Sequence, residues 1–226
     1  QGYVLHLFEP EVFKPRVTAS GEKLLTGVPL PDPKDVIHGL DKTCSDDALW
    51  IIASVCEYVK ETGEVDIFDQ VVPFADGSEA TVYEHLMRSL DFTAEQVGAT
   101  GICKGLRADW NDCLNLNCFS DTPGQSFQTT TNKDSKVAES VFIAGLFVLA
   151  AKELALIATK LGRTKDAQEC LAEVAKMEKV IYRHGWDGAW FIRAYDDSSQ
   201  PIGSKVWKEG KIFIESQGMC VMAGIG

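Results

Sequence analysis

Residues 105–117 read Gly-Leu-Arg-Ala-Asp-Trp-Asn-Asp-Cys-Leu-Asn-Leu-Asn. Arg107, Asp109, Trp110, Asn111, Asp112, Asn115 and Asn117 thus crowd into one short stretch among apolar leucines. The run has neither a helical stripe nor a strand alternation, so it fits neither a surface helix nor an ordinary strand. An indole flanked by acids and amides is the composition of a sugar subsite. The ring stacks on the apolar face of a pyranose, the amides and acids bond its hydroxyls, and an acid beside the scissile oxygen can donate a proton. The same residues also suit a buried polar turn, with Asp109 or Asp112 capping a following helix and Trp110 filling core.

The elements that must position this stretch are mostly helical. Ser45 or Asp46 is suited to cap a helix, and acids in its first turn suit the helix dipole. Asp46 and Asp47 either serve that cap, or one of them faces a sugar cleft. The body of this helix, 49–59, is apolar nearly all round and is expected to be buried on both sides, with Thr62-Gly63 as its stop. Thr81 and Glu84 form a capping box for a second helix, with Val82, His85, Leu86 and Leu90 on one face. His85 reads as a hydrogen-bonded core residue rather than a ligand. Residues 119–136 form a polar loop around Pro123 and Gly124.

Two long helices follow. Residues 136–161 carry a broad apolar face and end at Gly162. Thr164 caps the next helix, whose Leu171, Val174, Met177 and Ile181 make a narrower stripe ended by Gly185. The short connection predicts an antiparallel hairpin with one inner and one outer member. Residues 186–214 read as extended, with a turn through Asp196, Asp197, Ser198 and Ser199, and Ser216 opens a last short helix over 218–222. Residues 1–42, broken by Pro10, Pro15, Pro29, Pro31 and Pro33, should be mostly loop with short extended pieces, and with a strand near the start. Helical pairs joined by long loops, with short strand pairs inserted, predict a mainly α fold: part of an (α/α)6 barrel with short β-hairpins, inner helices apolar all round and outer ones amphipathic.

Composition bounds the partners. The chain has 226 residues, 45% of them hydrophobic, enough for one large domain. Its 22 basic and 33 acidic residues leave a net charge of −11, which argues against nucleic acid or an anionic membrane as a partner but not against a small phosphate. The seven cysteines are an odd number without a CxxC pair, and the four histidines are scattered. No zinc site is expected; the cysteines read as reduced thiols of a cytoplasmic protein. No stretch reads as a signal peptide, and the most apolar run, 141–151, is too short to span a bilayer. The opening Gln-Gly-Tyr and the closing Ala-Gly-Ile-Gly suggest a piece of something larger.

Residues 107–119, Arg-Ala-Asp-Trp-Asn-Asp-Cys-Leu-Asn-Leu-Asn-Cys-Phe, resemble the catalytic loop of the cellobiose phosphorylase group, family 94 of the glycoside hydrolases. The likeness runs nearly the full length, through Ser45-Asp46-Asp47-Ala48-Leu49-Trp50, Tyr58-Val-Lys-Glu-Thr-Gly, Ala80-Thr-Val-Tyr-Glu-His, Arg193-Ala-Tyr-Asp-Asp and Phe213-Ile-Glu-Ser-Gln-Gly. It implies that residues 1–226 are the central part of one (α/α)6 barrel catalytic domain, without the family's N-terminal β-sandwich and C-terminal segments. It also implies inverting phosphorolysis of a β-linked disaccharide, in which Asp112 protonates the leaving oxygen and Trp110 binds the sugar. Arg107, Asp109 and Asp47 are the further site candidates. Inorganic phosphate would be co-substrate, with no cofactor and no metal, and the complete protein would be a homodimer. The family's upstream Arg and Asp on the donor sugar, and its downstream His and Thr-Gly on phosphate, have no counterpart in these residues. The continuation 117–129 looks more like the cellobiose enzymes than the chitobiose ones, while laminaribiose and cellobionate stay open. A barrel hydrolase with a second carboxylate as base, and a non-catalytic sugar-binding or structural piece, are the competing readings.

Overall fold

Val141–Lys160, here α3, is the rod on which the fold is built. Val141 to Val148 in unbroken succession, then Ala150, Ala151, Leu154 and Ala158, are all buried. A helix apolar on every side must be enclosed on every side, and α3 packs against Asp47–Thr62 (α1), Val82–Glu95 (α2), Thr164–Val180 (α4) and Ile214–Met222 (α5). The computed structural model describes residues 16–17, 23–24, 44–74, 78–106, 108–111 and 137–226. The expected strand near the start, the rest of the proline-rich segment, the 119–136 loop, Arg107 and Asp112 lie outside them.

The hairpin of α3 and α4 follows the expected division. The inner helix is buried all round, and α4 buries only Ala167, Cys170, Val174 and Met177. That pairing is the repeating unit of an (α/α)6 barrel. Two boundaries differ from expectation. The inner helix starts at Val141 rather than 136, because Glu139–Ser140 are extended as strand β5. Thr164 is the first residue of α4 rather than its cap, and Leu171 lies off the buried stripe at 51% exposure. At 20 residues, α3 is long and apolar enough to cross a membrane, longer than the 141–151 run suggested. Its burial among four helices accounts for that apolarity.

The first helix corrects an expectation. α1 buries Leu49, Ile52, Cys56 and Val59, a spacing that makes one face. Ile51 and Tyr58 on the other side are 39% and 41% exposed, so the helix is not buried on both sides. Gly63, at φ 76, ends it by returning its N–H to the Val59 carbonyl. For α2 the capping box forms in full: the Glu84 N–H donates to Thr81 Oγ1 at 3.2 Å, and the Thr81 N–H to Glu84 Oε2 at 2.8 Å. His85 is half-buried, with Nε2–H on the Val72 carbonyl at 3.1 Å and its ring stacked on Phe74.

Short antiparallel pairs complete the architecture. Arg16–Val17 (β1) pairs with Lys23–Leu24 (β2), and Val71–Pro73 (β3) with Glu79–Thr81 (β4). β5, Ala194–Tyr195 (β6) and Pro201–Ile202 (β7) make a three-stranded sheet in that order, Ser140 opposite Ala194. The expected turn between β6 and β7 is present, with Asp196 Oδ1 accepting from the N–H groups of Ser198 and Gln200 at 2.9 and 2.8 Å. The extended reading fails at its end, because α5 begins at Ile214, before Ser216. Gln217 replaces strand partners there: it accepts from the Phe191 N–H at 2.9 Å and donates to the Phe213 carbonyl at 3.0 Å. Cys44, Cys56, Cys103, Cys170 and Cys220 are buried free thiols, and burial pushes Cys56 up to about 12.

Candidate active site

The acid- and indole-bearing stretch is held at the N-terminal end of α3. Residues 103–105 run beside 138–140, with the Gly105 N–H on the Ala138 carbonyl at 2.9 Å and the Ser140 N–H on that of Cys103 at 2.8 Å. Leu106 then turns left-handed at φ 48, a conformation that costs a non-glycine residue roughly 1–3 kcal/mol. Its buried side chain packs with Ala48 and Phe92, which keeps the turn in place. On the other side Ser45 grips the Ala108 carbonyl through its N–H at 2.9 Å and its hydroxyl at 3.2 Å.

Asp109 is buried, and its carboxylate is fully engaged. Arg193 meets it as a fork, Nη2 on Oδ1 and Nη1 on Oδ2, both at 2.7 Å, with neither side chain exposed. The Ser140 hydroxyl donates to Oδ2 at 2.7 Å, and the Asn111 N–H donates to Oδ1 at 3.0 Å. Planar guanidinium on planar carboxylate fixes orientation as well as distance. Arg193 itself is held by its backbone: its N–H reaches the Ile202 carbonyl at 2.8 Å, and its carbonyl accepts from Val141 at 3.2 Å. Gly203, at φ +78, lets β7 approach so closely; a Cβ there would lie 2.9 Å from the Arg193 nitrogen.

Trp110 points the other way. It is 59% exposed, with its ring centroid 6.4 Å from that of Phe142. The indole therefore fills no core, and among the described residues no helix begins at Asp109. Beyond it, Asn111 Nδ2 donates to Glu215 Oε1 in the first turn of α5 at 3.1 Å. Residues 109–111 are tied on both flanks, with the indole standing out between the ties.

Asp47 is half-buried in the first turn of α1. Its neighbour Asp46 is the N-cap residue, yet makes no side-chain cap bond, because its backbone is helical (φ −86, ψ −27) rather than extended. Asp46 Oδ2 instead accepts from Trp50 Nε1 at 2.9 Å. Burial raises its pKa from 3.8 to about 6, and the charge of Asp47 adds to the effect, with a smaller push from Asp109. The structure thus brings Asp46, Asp47, Asp109 and Trp110 to one corner. Among the described residues no group of three His, Cys, Asp or Glu side chains could hold a metal.

Sequence reasoning missed the roles of Arg193, Ser140 and Glu215. The available signal for Arg193 was one cation inside the apolar run Trp190-Phe-Ile-Arg-Ala-Tyr. Glu215 lay in the resemblance segment Phe213-Ile-Glu-Ser-Gln-Gly without a role, and Ser140 read as an ordinary polar residue beside a helix.

Comparison with known proteins bears on the family and the fold. An N,N'-diacetylchitobiose phosphorylase of Vibrio proteolyticus is 42% identical over 99% of the chain, and one of Vibrio furnissii is 39% identical over 99%. The chain spans about a quarter of the length of these relatives, 26% in each case. A family GH78 rhamnosidase of Bacillus sp. GL1 shares the fold at a TM-score of 0.55, with 15% identity, over 80% of this chain and 16% of its own. The profile of the glycosyl hydrolase 94 superfamily catalytic domain matches residues 1–226, and this chain therefore belongs to glycoside hydrolase family 94.

Proposed function

We propose that the chain carries the proton-donating loop of an inverting disaccharide phosphorylase. The observation that carries this reading is the double anchoring of 109–111, which presents Trp110 outward two positions before Asp112 in the chain. In the reaction an oxygen of inorganic phosphate attacks the anomeric carbon from the face opposite the bond being broken. The proton of the Asp112 carboxyl passes to the leaving oxygen, giving a sugar 1-phosphate of inverted configuration and a free sugar. An inverting hydrolase needs a second carboxylate to activate water. Phosphate is already an anion and needs none. To donate at neutral pH Asp112 must keep its proton, which an apolar, water-excluded cleft can provide.

N,N'-diacetylchitobiose is the substrate we place first, since relatives at 42% and 39% identity are named for it. Cellobiose is the second, favoured by the wording of residues 117–129. The test uses a full-length protein carrying this chain, assayed for sugar 1-phosphate from each disaccharide with and without phosphate. Asp112→Asn should lower turnover by about 10²–10⁴ with the fold intact. Near-normal turnover in that variant moves the acid elsewhere, and turnover without phosphate makes the protein a hydrolase.

A further inference from the structure

We propose that Arg193 is a positioning residue for the proton donor, acting through the carboxylate of Asp109; the inference rests on the reading of Asp112 as the acid. Arg193 and Asp109 have no exposed side-chain surface, so neither can touch a sugar. What they can do is hold the loop. The fork fixes the plane of the Asp109 carboxylate, and that carboxylate takes the Asn111 N–H, which orients the peptide joining Trp110 to Asn111. The next residue along the chain is Asp112. Two residues separate Asp109 from Asp112, at most about 11 Å of extended chain, so the anchor lies close to the acid along the chain. Misplacing a catalytic group by about 1 Å can cost about 10²-fold. The fork is therefore a device for setting the angle of the loop, which a single-point cation such as lysine cannot reproduce.

A purely structural role is separated from this one by the leaving group. A 2,4-dinitrophenyl β-glycoside of the same donor sugar is cleaved by phosphate without an acid. The phosphate oxygen bonds to the anomeric carbon, the bond to the aryl oxygen breaks, and dinitrophenolate departs as the anion without taking a proton. In the full-length protein Arg193→Lys should lower kcat for the disaccharide about 10²-fold, leave KM within about threefold, and leave turnover of the activated glycoside within about threefold of wild type. Asp112→Asn should show the same pattern more strongly. Asp109→Asn keeps the shape and removes the charge, and is read in the same way if Arg193→Lys does not fold. Equal losses on both substrates, unchanged turnover of the disaccharide, or failure of both variants to fold would overturn the proposal. If Asp112→Asn alone collapses disaccharide turnover while Arg193→Lys does not, only this inference falls. If Asp112→Asn is normal, the acid assignment falls with it.

Discussion

Asp109 and Asp46 are buried to a similar degree, 2% and 8% exposed, in one corner of the molecule, but their carboxylates are treated in opposite ways. Asp109 receives a guanidinium fork, a hydroxyl and a backbone N–H. Asp46 receives one indole N–H, and among the described residues no ion pair reaches it, so it holds its proton up to about pH 6. Position at a helix start does not decide the matter, since both lie beside one. What decides it is whether a cation from a distant segment arrives to offset the cost of removing the charge from water. One corner thus contains a carboxylate clasped by a cation and another that stays protonated well above the usual range.

The largest expected break in the contrast is Arg193→Met. Removing one partner of a buried pair strands the other, and the cost is about 3–5 kcal/mol of unfolding free energy, measured by denaturant titration at neutral pH. The next effect comes from the other acid. Because the folded pKa of Asp46 lies above the unfolded value of 3.8, the stability it supports is whole below about pH 4 and is lost as pH rises through about 6. Asp46→Asn mimics the protonated form and escapes that loss. The variant should match wild type near pH 4 and exceed it near pH 7 by up to about 3 kcal/mol, read from melting at both values. A constant difference across that range would mean that Asp46 is not protonated in the fold. The smallest effect is at Trp110, next to Asp109 yet outside the buried network. Trp110→Ala should weaken sugar binding by about 1–3 kcal/mol, measured by calorimetry, and leave melting unchanged. A fall in melting with intact affinity would instead make the indole a packing residue.

How much of this was legible depends on the distance over which each feature is determined. The α3–α4 hairpin could be read because a 3.6-residue apolar period is a local property, and so could the Thr81–Glu84 box. The exposed side of α1 could not, because Ile51 and Tyr58 are as apolar in sequence as their buried neighbours, and only packing separates the two faces. Residues 211–214 alternate like a strand, yet α5 begins at Ile214, with Gln217 tying its first turn to Phe191. At the site, Trp110 and Asp112 were singled out by their neighbours in the chain. The partner of Asp109 was not, since Arg193 lies 84 positions away and its role follows from the closing of β5 on β6. Local chemistry named the loop, and long-range topology holds it.

Ser140 carries this further. A hydroxyl has one proton to give and two lone pairs, and all three are in use here: it donates to Asp109 Oδ2 and accepts from Arg193 Nη1 and from the Ile143 N–H. The start of the central helix and the anchor of the loop therefore share one atom. The loop cannot swing outward without fraying the first turn of α3, and that turn is enclosed by the core. Opening here is thus a cooperative event with the free energy of core unfolding rather than of a loop excursion. The anchored floor that carries the exposed indole therefore does not act as a door.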